Sequence, residues 1–306
     1  MPTETVYGLA ADARNPEAVR KIFAAKGRPS DHPLIVHIAS ASLVEDWASD
    51  VPPVAKRLAK AFWPGPLTLI LKRLPSVPDE VTGGQDTVGL RVPSHPIALA
   101  LLKAFGGGVA APSANRFGRI SPTRAAHVIE ELGPQVAQVL EGGECEVGIE
   151  STIVDLSRGA PVLLRPGRIS RKEIARVAGE RVLLPEEIST NAPRVSGTLA
   201  SHYAPVTPVS LLDAVGVYQA ASAARERGLP IAVLARTLCD DAPPQGSVWR
   251  VAPSDEVAYA HNLYSNLRWL DQSGASVILI ERPPATEEWA AINDRLTRAG
   301  QSAIDE

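Results

Sequence analysis

Small polar and cationic side chains stand where the predicted helices and strands of this sequence end. Lys26, Gly27 and Arg28 close a first helix, so two cations flank a glycine at which a ligand can approach the backbone. Ser113 and Asn115 follow a short apolar stretch and supply a hydroxyl and an amide, as phosphate-binding loops do. Each feature alone has an ordinary alternative, because basic residues also complement a helix dipole and the second segment is equally consistent with a plain turn.

Two arginines, Arg91 and Arg165, lie within or at the end of apolar segments that predict strands. An unpaired charge in such a position would be costly, so each arginine requires a partner. That partner is either an internal carboxylate or a bound anion, and the sequence leaves both alternatives open. Ser151 begins another apolar segment, for which β-propensity is a sufficient explanation.

A histidine and two threonines occur at alternating positions. His37 lies in the apolar run 34–38, where a lone histidine is more often a satisfied core residue than a catalyst. Thr3 and Thr5 alternate, which predicts a short strand with both hydroxyls on one face. The sequence shows no nucleophile–base pair beside these groups. Together with the candidate anion-binding residues, they predict a site that positions a polyanion.

Common catalytic motifs are absent from the sequence. It contains no G-x-x-x-x-G-K-[ST] loop, no G-x-G-x-x-G after a strand, no H-E-x-x-H and no G-x-S-x-G. A P-loop NTPase, a dinucleotide-binding enzyme, a zinc protease of the H-E-x-x-H type and an α/β-hydrolase therefore lose their main support.

Composition narrows the class of protein further. The chain of 306 residues carries 31 Lys and Arg against 34 Asp and Glu, and this near-neutral charge argues against binding nucleic acid mainly through bulk electrostatics. The apolar run 97–111 is interrupted by Lys103 and by glycines, so it is not expected to span a membrane. Cys145 and Cys239 have no metal-type spacing and no export signal is visible. We therefore expect a cytoplasmic protein without disulfides or structural zinc.

Hydrophobic periodicity predicts an α/β chain, and its length suggests two domains. The first part has predicted strands at 34–38, 67–72, 88–92, 109–112, 136–140, 151–156 and 162–165, and helices at 15–27, 53–62, 95–105 and 123–132. Adjacent strand pairs favour a mixed sheet. After a segment rich in Pro, Ser, Thr and Gly, a second α/β part has predicted strands at 208–212, 231–234, 248–251 and 276–280. Its predicted helices lie between the first two of these strands, at 254–270 and from 285.

Seven sequence blocks follow one another in a specific order. They are PTETVYGL at 2–9, KGRP at 26–29, HPLIVH at 32–37, WPGPLT at 63–68, VGLRVP at 88–93, APSAN at 111–115 and STIVD at 151–155. This order resembles the YrdC/Sua5 family, the L-threonylcarbamoyladenylate synthases. SHYAP at 201–205, with the α/β part after it, resembles the longer Sua5 type. The resemblance implies a twisted mixed-sheet YrdC-like domain at 1–168, a linker at 169–207 and a smaller Rossmann-like α/β domain at 208–306.

The resemblance also implies a reaction and a set of site residues. L-Threonine, bicarbonate or CO2, and ATP with Mg²⁺ would give threonylcarbamoyl-AMP and pyrophosphate, for N6-threonylcarbamoylation of adenosine 37 in tRNA. Lys26 and Arg28 match the catalytic cations of the family. The positions that match the L-threonine site are Thr5, His37, Arg91, Ala111 and Ser151. Those that match the ATP site are Arg28, His32, Thr87, Ser113, Asn115, Ser121, Arg165 and Tyr203.

This sequence departs from the family pattern at two points. Family members usually carry a helix and a strand before the PTET block, and without them we expect an unpaired sheet edge beside the threonine site. His32 stands where asparagine is common, which is expected to alter contacts with ATP.

Other functions stay open at this level. One is the carbamoyl-adenylate chemistry of the YrdC-like module in hydrogenase maturation proteins, and a second is a YrdC-like module that binds double-stranded RNA. A third is a degenerate chain kept as a scaffold. The net charge and the absence of an aromatic or lysine-rich stripe count against RNA, so we expect contact with tRNA or double-stranded RNA to be weak. By pathway, the expected protein partners are the downstream tRNA threonylcarbamoyltransferases.

Overall fold

The computed structural model describes residues 1–188, 192–197, 202–237 and 247–301. The chain folds as two units, one formed by Met1–Phe117 with Ser121–Thr198 and the other by Gly118–Ile120 with Leu199–Glu306. Cys239 and Ser201 lie outside the described residues.

The first unit contains a seven-stranded mixed sheet, which confirms the predicted fold class. Its strands are β1 (Ala11–Asp12), β2 (Ile35–His37), β3 (Leu67–Lys72), β4 (Thr87–Arg91), β5 (Val109–Ala110), β6 (Thr152–Asp155) and β7 (Val162–Arg165). The strand order is β1-β5-β2-β4-β3-β6-β7, with β2/β4 and β3/β6 parallel and the other pairs antiparallel. The helices are α1 (Pro16–Lys26), α2 (Pro53–Phe62), α3 (Asp79–Thr82), α4 (Pro96–Phe105), α5 (Ala125–Leu132) and α6 (Arg171–Ala178).

The end of helix α1 is set by its sequence. Asn15 caps the N-terminus by accepting from the N–H groups of Glu17 and Ala18, with Pro16 at the first helical position. Gly27 ends the helix in the left-handed conformation, at φ 64°, which favours glycine. The chain therefore turns at a fixed point and leaves Lys26 buried on the last turn.

Two local predictions are wrong, both of them strands. Residues 136–140 form no strand, because Val136 and Val139 pack against the core from a loop without pairing. Residues 3–5 also form no strand: the Thr3 hydroxyl accepts from the N–H groups of Thr5 and Val6 and closes a turn. The first part of the predicted linker belongs to the first unit. Helix α6 begins with a capping box and buries Ile174 in that unit's core.

The second unit has a four-stranded parallel sheet with helices, as the Rossmann-like prediction requires. Its strands are β8 (Val209–Leu212), β9 (Ile231–Ala235), β10 (Ser247–Val251) and β11 (Val277–Glu281), in the order β10-β9-β11-β8. Its helices are α7 (Ala214–Glu226), α8 (Glu256–Asp271) and α9 (Ala290–Gly300). Asp255 caps α8, since its side chain accepts from the N–H of Ala258. No helix in the described parts of the chain combines the length and the apolar composition needed to cross a membrane.

Candidate active site

Arg91, the last residue of β4, is held by three groups from loops. Its Nη1 donates to Thr5 Oγ1 at 2.9 Å, its Nε donates to Gly65 O at 3.2 Å, and its Nη2 lies 2.6 Å from Glu4 Oε1. Both charged side chains are 4% exposed, so Glu4 is the internal carboxylate partner that the sequence left open. A guanidinium has five N–H donors; Nε and Nη1 each donate one here, and Nη2 makes no hydrogen bond of normal geometry within the described residues, so donors remain on both terminal nitrogens. Arg91 can therefore still receive a carboxylate in a two-pronged contact.

Ser151 directly precedes β6 and lies against Arg165, the last residue of the neighbouring strand β7. Arg165 donates from Nε to Ser151 O at 3.0 Å and from Nη2 to Ser151 Oγ at 3.1 Å. The Ser151 hydroxyl also shares a 2.8 Å hydrogen bond with the Thr68 hydroxyl. Because Gly65 contacts Arg91 and Thr68 contacts Ser151, the segment 65–68 links the two arginine sites.

Ser196 connects two of the predicted ATP-binding cations. Its hydroxyl accepts from Arg28 Nη2 at 3.1 Å and donates to Pro33 O at 2.9 Å, while its carbonyl accepts from Arg165 Nη1 at 2.7 Å. The neighbouring Val195 is buried with apolar residues of the sheet. The short described segment 192–197 thus places Ser196 in hydrogen-bond contact with both Arg28 and Arg165.

Lys26 binds the loop that follows β5. Its Nζ donates to Ser113 O and to Asn115 O, each at 2.6 Å, and the side chain is buried. Burial, with the Arg28 guanidinium nearby as a second cause, lowers the pKa of Lys26 to about 7. The KGRP and APSAN blocks, far apart in sequence, are thus one structural feature.

The remaining predicted residues of the first unit surround these contacts. The Ser121 hydroxyl donates to Glu150 Oε1 at 2.5 Å, and both residues are buried. Ala111 follows β5 and its N–H donates to Ile35 O, whereas Thr87 begins β4. The ring of His32 lies edge-on to Phe117, and partial burial, followed by the charge of Arg28, lowers the pKa of His32.

His37 is paired with Arg91 in the register of β2 and β4. It is buried, and its Nδ1 has no hydrogen-bond partner among the described residues. Burial, followed by the adjacent Arg91 charge, lowers the pKa of His37 to about 3. The imidazole is therefore uncharged at neutral pH.

This burial predicts a pH dependence of stability. Between the ordinary histidine pKa and about 3, the unfolded chain binds a proton at His37 that the folded protein does not bind. Stability from this group is therefore present near neutral pH and is lost as the pH falls through that window. We expect denaturant unfolding of the wild type to lose more free energy between about pH 7 and about pH 4 than unfolding of His37→Gln. The matched variant His261→Gln, in the second unit, should retain the wild-type difference, and equal slopes for wild type and His37→Gln would contradict the assignment.

Tyr203 lies in the second unit, where it is buried. Its ring contacts His202 and Tyr264, with centroid distances of 4.2 and 5.8 Å, and the Arg295 guanidinium lies 5.2 Å from its centroid. The role of Tyr203 at the nucleotide stays a prediction.

Known proteins resemble this chain in both sequence and fold. A family model named Sua5_yciO_yrdC and described as "Telomere recombination" matches residues 1–167, more than half of the chain. A second model, described as "Threonylcarbamoyl-AMP synthase, C-terminal domain", matches residues 169–300. The chain belongs to the Sua5/YrdC family.

Curated members of the family resemble this chain over nearly its whole length. A threonylcarbamoyl-AMP synthase from Pyrococcus abyssi is 40% identical over 97% of this chain and 88% of the relative, and one from Bacillus subtilis is 40% identical over 99% and 89%. The crystal structure of P. abyssi Sua5 complexed with L-threonine superimposes with a TM-score of 0.90 at 39% identity, covering 98% of this chain and 89% of that one. Both units of this Sua5/YrdC chain are therefore matched.

Three residues that contact predicted site residues were not predicted from sequence. They are Glu4, Gly65 and Ser196. Glu4 and Gly65 lie inside the PTET and WPGP blocks, so the blocks themselves were a signal. Ser196 lies in a segment without periodicity, so no sequence signal pointed to it.

Proposed function

We propose that this chain synthesises L-threonylcarbamoyladenylate, releasing pyrophosphate, from L-threonine, CO2 or bicarbonate, and ATP. Its membership of the Sua5/YrdC family, through both units and with synthases among its relatives, carries this conclusion. The related structure that holds L-threonine supports the choice of amino acid. The enzyme is thus a nucleotidyltransferase.

L-Threonine is assigned to the residues around Arg91. One N–H donor from each terminal nitrogen of Arg91 binds its carboxylate, because a guanidinium fork matches a carboxylate geometrically. Thr5 and His37 are adjacent to Arg91 through a hydrogen bond and through strand register. Ala111 and Ser151 complete the set.

ATP, entering as its Mg²⁺ complex, is assigned to the cationic residues. Arg28 and Arg165, both held on Ser196, and Lys26 provide positive charge for the phosphates. The surrounding set is His32, Thr87, Ser113, Asn115 and Ser121. In the described parts of the chain no three His, Cys, Asp or Glu side chains are grouped so as to hold a metal ion. We assign the Mg²⁺ ligands to phosphate and water oxygens, because this ion prefers them in nucleotide complexes.

The reaction requires positioning and charge neutralisation rather than a protein nucleophile. The threonine amine adds to CO2 and loses a proton to give a carbamate, and a carbamate oxygen then attacks the α-phosphorus and displaces pyrophosphate. Arg91 orients the amino acid, whereas Lys26, Arg28 and Arg165 stabilise the charge that moves onto pyrophosphate.

The product is a labile mixed anhydride, so we propose that it is consumed by threonylcarbamoyl transfer to adenosine 37 of tRNA. The acceptors are tRNAs that read codons beginning with A, and the partners are tRNA threonylcarbamoyltransferase proteins. A labile acyl donor requires a reaction that consumes it, and the choice of tRNA and of these partners rests on the family resemblance.

An omission experiment tests the activity. We expect pyrophosphate release from ATP that requires both L-threonine and bicarbonate, together with a threonine-containing adenylate detected by mass spectrometry. Hydrolysis of ATP without threonine would be a different activity. No release from protein shown to be folded by circular dichroism would contradict the proposal.

A further inference from the structure

We propose that Glu4 determines substrate specificity: its carboxylate makes the Arg91 site select a zwitterionic amino acid over a simple carboxylate anion. This inference rests on the proposed function, in which Arg91 binds the substrate carboxylate.

The charge of Glu4 is buried and only partly compensated. Its Oε1 lies 2.6 Å from Arg91 Nη2, yet neither carboxylate oxygen of Glu4 has a hydrogen-bond partner of normal geometry among the described residues. A buried carboxylate usually receives several donors. Here one guanidinium lies next to the negative charge, and Oε2 receives no donor from the part of the chain that the structure describes.

The position of this carboxylate is fixed before any substrate binds. The turn closed by Thr3 holds the backbone on both sides of Glu4, and the Glu4 carbonyl accepts from Val147 N at 2.7 Å. The Thr3 and Thr5 hydroxyls are also bonded to each other at 2.9 Å. Because the backbone is pinned at these points, the positive and negative charges form a preorganised pair.

That pair complements the charges of an amino acid. The ammonium and carboxylate of L-threonine are attached to the same carbon, so a carboxylate on Arg91 brings the ammonium close to Glu4. The attraction is strong where water is excluded. An acid without the amino group meets an arginine whose charge is already offset, and Glu4 repels it. Both effects favour the zwitterion.

The test compares two ligands that differ only at the amino group. L-Threonine and (R)-3-hydroxybutanoate are titrated into the wild type, Glu4→Gln and Asp155→Asn by calorimetry. Glu4→Gln keeps the size of the side chain and removes its charge. Asp155→Asn is the matched control, because Asp155 is also buried in the first unit and its Oδ2 also has no hydrogen-bond partner in the described part of the chain. We expect the wild type to prefer threonine strongly, Glu4→Gln to lose about tenfold or more of that preference, and Asp155→Asn to retain it.

The outcomes separate specificity from a structural role. Weakening of both ligands by the same factor in Glu4→Gln would make Glu4 purely structural and overturn the inference, as would a wild type that binds both ligands equally. A folded wild type that does not bind threonine would overturn the proposed function itself. If Glu4→Gln does not fold, Glu4→Asp keeps the charge and should keep most of the preference, whereas its loss in folded Glu4→Asp would overturn the inference.

Discussion

Replacing Arg91 with methionine is expected to lower threonine-dependent pyrophosphate release by at least about a hundredfold, because a two-pronged charged contact to the substrate carboxylate is lost. The same change is expected to cost about 3–5 kcal/mol of stability, since it leaves the Glu4 carboxylate buried without its ion-pair partner. Steady-state kinetics with threonine varied at saturating ATP, and denaturant unfolding, measure the two effects.

A double variant separates stability from activity. In Arg91→Met/Glu4→Gln the uncompensated charge is removed, so most of the lost stability should return while pyrophosphate release stays low. Arg20→Met serves as the control, because Arg20 forms an ion pair with Glu80 at an exposed position and should change stability by no more than about 1 kcal/mol. Recovery of activity in the double variant would mean that Arg91 does not bind the substrate.

Features with a local cause were predicted from the sequence. Asn15 and Pro16 define the start of helix α1 through capping, and Gly27 ends it in the left-handed conformation. The local sequence is therefore sufficient to predict both ends of this helix. The run 136–140 has the same apolar character as a strand. Whether such a run pairs depends on neighbouring strands, which the sequence does not place.

The residues of the candidate site could be named from the sequence, but the contacts among them could not. Arg91 in an apolar strand indicated a partner, yet Glu4 lies 87 positions earlier and only the fold brings it to 2.6 Å. Ser196 lies in a segment without hydrophobic periodicity, and its contacts with Arg28 and Arg165 depend on where this segment packs in the first unit. The order of the sequence blocks along the chain indicated the family, whereas the pairing of the buried Arg91 and Glu4 charges was visible only in the structure.

Lys26→Met is expected to lower the rate of pyrophosphate release at saturating substrates by about a hundredfold to a thousandfold, which is typical for loss of a group that stabilises transferring charge. The variant also leaves the carbonyls of Ser113 and Asn115 without their buried donor, so the loop after β5 should become less stable. Lys21→Met is the matched control, because Lys21 lies on the same helix and is exposed. A rate close to that of the wild type in Lys26→Met would remove this lysine from the mechanism.

The lowered pKa of Lys26 gives this prediction a second readout. From about pH 7 upwards, the folded protein has released a proton that the unfolded chain still binds, so the contribution of Lys26 to stability rises with pH. Burial also raises the pKa of the Cys145 thiol to about 12. Above the ordinary thiol pKa this lowers stability as the pH rises, which opposes the effect of Lys26. Stability is therefore compared between about pH 7 and about pH 8. In that window the wild type should gain stability relative to Lys26→Met.

Bound triphosphate favours the charged amine, so ATP binding near pH 8 should take up a proton in the wild type and in Lys21→Met but not in Lys26→Met. Calorimetry in buffers of different ionisation enthalpy measures this uptake, and equal uptake in all three proteins would show that the phosphates bind away from Lys26.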